Sequence, residues 1–193
     1  MAILSVNKLL KTELESLGKQ LKTRSRTEVE MINIMSDHII SSGGKRLRPI
    51  TLLLSAYSVN SQLESTIIDS SVVVEFIHAA TLLHDDVVDM SDIRHNIDTA
   101  HTIWGNKGAV LVGDFLYSRA FEIIVEINSP LVYETLAQTT NIIAQGEVMQ
   151  LMNIGNIDIS ENLYMDIIFR KTSILFQASM KIGAILNKGT DKE

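Results

Sequence analysis

Residues 67–89 read IIDSSVVVEFIHAATLLHDDVVD, and the character of this stretch decides what kind of fold the chain builds. Over residues 67–83 it is almost entirely apolar, with Glu75 and His78 among its few polar members, so it predicts a buried helix. The helix ends on His84-Asp85-Asp86-Val87-Val88-Asp89, with Arg94 shortly behind. Three carboxylates closing a buried element need a compensating charge. Asp85 and Asp89 are spaced i, i+4, which puts them on one helix face about one turn apart. Oxygen ligands so placed suit a hard cation such as magnesium, which commonly takes one or two carboxylates and bridges to substrate phosphates. A solvated helix end carrying acids is the alternative reading of the same run.

Outward from this helix the chain keeps a helical period. Residues 4–21 and 29–40 carry apolar side chains at three- and four-residue spacing. Ser41-Ser42-Gly43-Gly44 breaks the pattern, and Pro49 suits the first turn of the next helix, over residues 50–57. Further helices are expected over 67–90, over 110–127 after a polar, glycine-containing loop, over 130–151 and over 161–186. With 193 residues, 46% hydrophobic content and two prolines, these broad apolar faces predict an all-α bundle forming one domain, 1–193. No cysteine occurs, residues 1–11 lack a secretory pattern, and no uninterrupted apolar run reaches the length of a membrane span. A cytoplasmic protein without a membrane span is expected, and a net charge of −6 argues against a nucleic-acid partner.

A second constellation is Gly43-Gly44-Lys45-Arg46-Leu47-Arg48-Pro49. The glycines permit close backbone approach, three cations follow them, and a helix start comes next, all of which favour a phosphate. A solvated basic turn is the bland alternative for the loop alone. Taken with the acids, cations for one phosphate group and carboxylates for magnesium on another describe a site for two phosphorylated substrates.

These two motifs, together with Leu111-Val112-Gly113-Asp114-Phe115-Leu116, Gly146-Glu147-Val148-Met149-Gln150-Leu151 and Lys171-Thr172-Ser173, occur in an order that closely resembles the trans-polyprenyl diphosphate synthases, above all their long-chain group. The resemblance implies an isoprenoid synthase-type helical bundle around a deep apolar cavity. It also implies head-to-tail condensation of isopentenyl diphosphate with an allylic diphosphate such as farnesyl diphosphate, with magnesium as cofactor, in a protein that is usually a homodimer. Carried over residue by residue, Asp85 and Asp89 would bind magnesium, with Asp86 in the same catalytic motif. Lys45, Arg48 and His78 would hold isopentenyl diphosphate. Arg94 and Lys171 would contact the allylic diphosphate, with Thr172 and Gln150 nearby. His84 and His101 are read as structural.

Two departures from the family pattern stand out. His95 occupies the place of a second arginine, and a histidine is shorter, lacks the bidentate fork and is mostly neutral at pH 7. A weaker hold on isopentenyl diphosphate, tightening as pH falls, is expected. The family's second aspartate-rich motif and the helices around it are missing from residues 1–193, which close on Asp191-Lys192-Glu193. Three readings follow: part of a working synthase, a non-catalytic or regulatory chain that binds diphosphate or a partner synthase, or another diphosphate-ionising helical enzyme such as a terpene cyclase. The basic loop argues against the last.

Thr81 and Ala80 lie four and five residues before Asp85, below the acids on roughly the same helix face. Small side chains there leave room for a growing prenyl chain. Ala80→Phe is expected to shorten the product, read by chromatography of the extracted prenyl alcohols; unchanged length removes the chain-length role.

Overall fold

The computed structural model describes residues 2–42 and 44–190; Gly43 of the basic loop and the terminal Asp191-Lys192-Glu193 lie outside the described residues. The described chain is built of helices in the order α1 (Ala2–Leu9), α2 (Lys11–Arg24), α3 (Glu30–Ser41), α4 (Leu47–Val59) and α5 (Thr66–Val88). A small antiparallel hairpin follows, β1 (Ile93–Arg94) with β2 (Ile97–Asp98). Then come α6 (Ala100–Ile127), α7 (Pro130–Met152), α8 (Glu161–Ile168), a π-helical turn (Phe169–Ser173) and α9 (Ile174–Leu186). The backbone divides into two compact units, residues 1–50 with 68–127 and residues 51–67 with 128–193.

In the first unit α5 is the central element. Val72, Val73, Val74, Phe76 and Ile77 are all fully buried, so the helix hides most of its circumference, as its lack of a polar face predicts. By length and composition α5 could also cross a membrane, with a mean hydropathy of 1.5 over 18 residues, but 67% of that window is buried inside the fold. That is how the core helix of a globular unit looks. Leu17 and Leu21 of α2, Met35 and Ile39 of α3, and Val112, Leu116 and Ile123 of α6 complete the core. An ion-pair network of Arg24 with Asp69 (3.4 Å) and Glu126 (2.6 Å) ties the end of α2 to α5 and α6.

In the second unit α7 packs against α9 and the π turn, and Pro130 opens α7 as a first-turn proline. Here α9 also meets α4 closely. A Cβ on Gly183 would lie 2.3 Å from the Leu52 carbonyl oxygen, so only glycine lets these helices approach so near. The Ser55 hydroxyl donates to the Met180 carbonyl (2.6 Å), and the buried Asn187 amide donates to the carbonyls of Ala56 (2.7 Å) and Asn60 (2.9 Å). Asn187 thereby ties α9 to the C-terminal end of α4, adding a second donor to the Ala56 carbonyl, which already accepts from the Asn60 N–H (3.1 Å).

Several boundaries differ from the sequence expectation. The helix expected over 4–21 breaks at Leu10, whose backbone leaves the helical region (φ −98°, ψ 21°) while its side chain is wholly buried. The helix expected from 110 is preceded by a helical segment that starts at Ala100, and the two meet across a sharp kink at Gly105, whose backbone is not helical (φ 81°, ψ 159°). The stretch 161–186 is interrupted by the π turn. The hairpin was not expected at all. Gly183→Ala is expected to destabilise the fold by about 2 kcal/mol through overpacking, seen as a lowered urea midpoint; an unchanged midpoint would contradict the close approach of α9 to α4.

Candidate functional site

The acidic run closes α5 in the first unit. Asp85 is half-buried, Asp89 is exposed, and Asp86 is only 2% exposed. Asp89 donates its backbone N–H to the Asp85 carbonyl (2.7 Å), continuing the helical turn that sets the i, i+4 spacing. Met90 then adopts a left-handed conformation (φ 51°), and Ser91 N–H reaches back to the Asp86 carbonyl (3.0 Å). This is the six-to-one bond of a Schellman cap, formed without the usual glycine.

The buried Asp86 carboxylate receives two hydrogen bonds from Arg94, Nε at 3.0 Å and Nη2 at 2.7 Å, both on Oδ1. Arg94 reaches it because the hairpin turns it back. His95 (φ 51°) and Asn96 (φ 64°) are both left-handed, the backbone of a primed two-residue turn that matches strand twist. Thr99 N–H closes the base of the hairpin on the Asp92 carbonyl (2.9 Å). His95 itself is exposed at the tip.

A basic cluster faces the middle of α5 in the same unit. Arg46, left-handed at φ 50° just before α4, pairs with the buried Glu75 and also donates to the Ile40 carbonyl. Burial pulls the Arg48 guanidinium below its ordinary value, with Glu75 opposing the shift. His78 is pushed down to about 3, first by burial and then by the positive charges of Arg48, Arg94 and Arg46. Its imidazole is therefore neutral at physiological pH, a hydrogen-bonding group and not a cation. Lys45 is exposed on the loop beside them. Ala80 is buried on α5, and the half-buried Thr81 turns its hydroxyl onto the His78 carbonyl (2.8 Å).

The fold thus gathers Asp85, Asp86, Asp89, Arg94, Lys45, Arg48 and His78 in one unit. Lys171, Thr172 and Gln150 belong to the other. There Lys171 Nζ meets Glu147 Oε2 at 2.6 Å, Thr172 is exposed on the π turn, and Gln150 is half-buried on α7. Arg46 and Glu75 escaped the site reading; the available signal was a lone acid in an apolar helix, which is almost never buried unpaired. His84 Nε2 sits 3.2 Å from the Val110 carbonyl and 3.3 Å from Asp114, and His101 Nδ1 lies 3.0 Å from the Thr99 hydroxyl.

Among the described residues no three His, Cys, Asp or Glu side chains form a metal cage. The donor set of Asp85 and Asp89 nonetheless fits magnesium, which needs only one or two carboxylates when phosphates and water fill the rest. The carboxylates also stand at the C-terminal end of α5, where the helix dipole is negative and acids are disfavoured until a cation arrives.

Below pH 6.5 an unfolded chain protonates His78, whereas the folded chain does so only near pH 3. The folded state binds fewer protons in that window, so the histidine's share of stability is present above 6.5 and is lost as pH falls toward 3. His78→Asn is expected to flatten the acid limb of the urea midpoint against pH; an identical limb in the variant would mean His78 titrates normally.

The model of the polyprenyl synthetase family matches residues 29–193. Octaprenyl diphosphate synthase of Escherichia coli is 40% identical over 188 residues, which cover 97% of this chain and 58% of that protein. A polyprenyl synthase from Caulobacter crescentus, solved in complex with calcium and isoprenyl diphosphate, superposes with a TM-score of 0.93 at 39% identity, covering 97% of this chain and 57% of that one. A decaprenyl diphosphate synthase from Rhodobacter capsulatus gives the same TM-score at 36% identity, covering 98% of this chain and 58% of that one. The chain thus spans about 58% of the length of the curated relatives it matches. The helical architecture and the family match agree: this chain belongs to the polyprenyl synthetase family.

Proposed function

We propose that this chain carries the diphosphate-binding machinery of a prenyltransferase that joins isopentenyl diphosphate to an allylic diphosphate, farnesyl diphosphate being the expected primer, and builds a long-chain product. The observation that supports this reading best is the gathering of two unlike charge groups in one unit. The Asp85/Asp89 pair lies at the end of α5, and Arg48, His78 and Arg94 lie close enough to depress the histidine. The calcium and isoprenyl diphosphate held by the Caulobacter relative agree with it, since calcium is also a hard cation that takes oxygen ligands.

Asp85 and Asp89 would hold magnesium, which when bound neutralises the leaving diphosphate as a Lewis acid. Arg94, oriented by Asp86 through Nε and Nη2, presents Nη1 to the allylic diphosphate. Lys171 adds its charge to the same group by the family resemblance. Lys45 and Arg48 hold the second diphosphate, with His78 as a neutral hydrogen-bonding partner. As the allylic C–O bond breaks, its electron pair leaves with the diphosphate. The isopentenyl double bond donates its pair to the new C–C bond, and the released diphosphate takes the proton lost afterwards. Holding both substrates makes the attack effectively intramolecular, and apolar walls such as Ala80 keep water from the carbocation. A single domain, a homodimer and a cytoplasmic setting belong to this reading, the last in keeping with a chain without cysteine.

The decisive test is turnover of labelled isopentenyl diphosphate with farnesyl diphosphate and magnesium, paired with calorimetric binding of magnesium pyrophosphate. Binding is expected in the wild type and to fall about 100-fold or more in Asp85→Ala/Asp89→Ala, as loss of paired charge-assisted ligands predicts. Solvent-extractable product establishes catalysis by this chain. Binding without product favours the non-catalytic reading, and no magnesium-dependent binding overturns both.

A further inference from the structure

Three consecutive residues of α7 grip two consecutive residues of the π turn, and the function proposed above uses only one of the five. Gln145 Oε1 accepts from Arg170 Nη1 at 3.0 Å, and Glu147 Oε2 accepts from Lys171 Nζ at 2.6 Å. Between them Gly146 is buried, and a Cβ there would stand 2.8 Å from Arg170 Cβ and 2.9 Å from the Lys171 backbone nitrogen. The absent side chain lets α7 press directly on the backbone of the turn. Arg170 is held a second time by Asp166 (2.9 Å), so the turn is pinned from α8 as well.

From this arrangement we infer that Glu147 is the positioning residue for Lys171, and that Gly146 sets the spacing at which it works. The inference rests on the proposed role of Lys171 toward diphosphate. A lysine on a long flexible stem is a poor pre-organised ligand, because fixing it costs rotamer freedom. Glu147 meets that cost before any substrate arrives. Its contact is half-buried, with side-chain exposures of 19% for Lys171 and 30% for Glu147, so the pair is better sheltered from solvent than a surface ion pair. An ammonium carries three donors, so a phosphate oxygen can join it without displacing the carboxylate. The widened turn also fits, since π-helical turns inside helices are frequent at functional sites.

The test combines a ligand-free readout with a ligand-dependent one. Acylation of lysines by acetic anhydride, read peptide by peptide by mass spectrometry, reports how well Lys171 is held, with the exposed Lys181 as internal control. Calorimetry with magnesium pyrophosphate reports binding. Glu147→Ala is expected to raise Lys171 labelling several-fold over Lys181 and to weaken binding about tenfold, the scale of one charge-assisted hydrogen bond. Glu147→Gln, which keeps an acceptor oxygen, should lose less. In a Lys171→Met background Glu147→Ala should cost nothing further. Gly146→Ala should reproduce both effects of Glu147→Ala while the chain still melts cooperatively. Unchanged labelling in Glu147→Ala overturns the inference. So does an equal loss of binding with and without Lys171, which a merely structural glutamate would give. If the wild type binds no pyrophosphate, the proposed function fails and the positioning role falls with it. Labelling separates that case, because it reads the Glu147–Lys171 pair without ligand.

Discussion

Asp86 lies in the last turn of a helix that hides most of its circumference, and its carboxylate is tolerable there because Arg94 reaches it. A buried carboxylate without a partner costs several kcal/mol. The chain brings a guanidinium back over the end of α5 within a few residues through the hairpin of β1 and β2. That path includes the left-handed turn at His95 and Asn96, the Schellman cap at Met90 and the anchor of Thr99 on the Asp92 carbonyl. A position that looks catalytic by its place in an acidic run thus has a prior structural duty. The middle acid orients the arginine, and in the function proposed above the cation falls to the outer two.

The same logic explains which parts of the fold are legible in the residues alone. The type and burial of α5 follow from its apolar run, and the spacing of Asp85 and Asp89 follows from helical geometry. The hairpin is not legible because each strand is two residues long and its turn carries His-Asn where Asn-Gly would be the recognisable signal. The early start of α6 is hidden because Gly105, Asn106 and Gly108 read as a loop, although helix resumes directly after the non-helical Gly105 and the Gly108 position packs near Met35. Arg46 and Glu75 are 29 residues apart, and no local period relates them. Their partnership is a tertiary fact, set by where α4 begins relative to α5.

The second unit shows a different limit. Neither the clamp of Gly183 and Asn187 on α4 nor the grip of Gln145, Gly146 and Glu147 on the π turn has a compositional signature. The residues 161–186 keep an apolar period throughout, so the sequence predicts an unbroken helix. The interruption comes from how α7 packs against residues 169–173, a contact that exists only once both elements have formed. Lys171 and Glu147 were each recognisable as part of a separate motif, whereas their pairing across 24 residues was not.

The charge arithmetic around α5 gives the arrangement its chemical direction. Arg46, Arg48 and Arg94 are set against two buried carboxylates, Glu75 and Asp86, and His78 adds no charge because burial first, and then those same arginines, keep it neutral. The cluster is left with an excess of positive charge. Burial makes that excess costly, which is why the Arg48 guanidinium lies below its ordinary value. At the end of the same helix Asp85 and Asp89 place two carboxylates at the negative pole of the dipole. One helix therefore carries, about two turns apart, a place that an anion relieves and a place that a cation relieves. In the proposed function a metal-bound diphosphate would satisfy the acidic end and a second diphosphate the basic cluster. The neutral His78 imidazole would add a hydrogen-bonding group there without adding to the repulsion among the arginines.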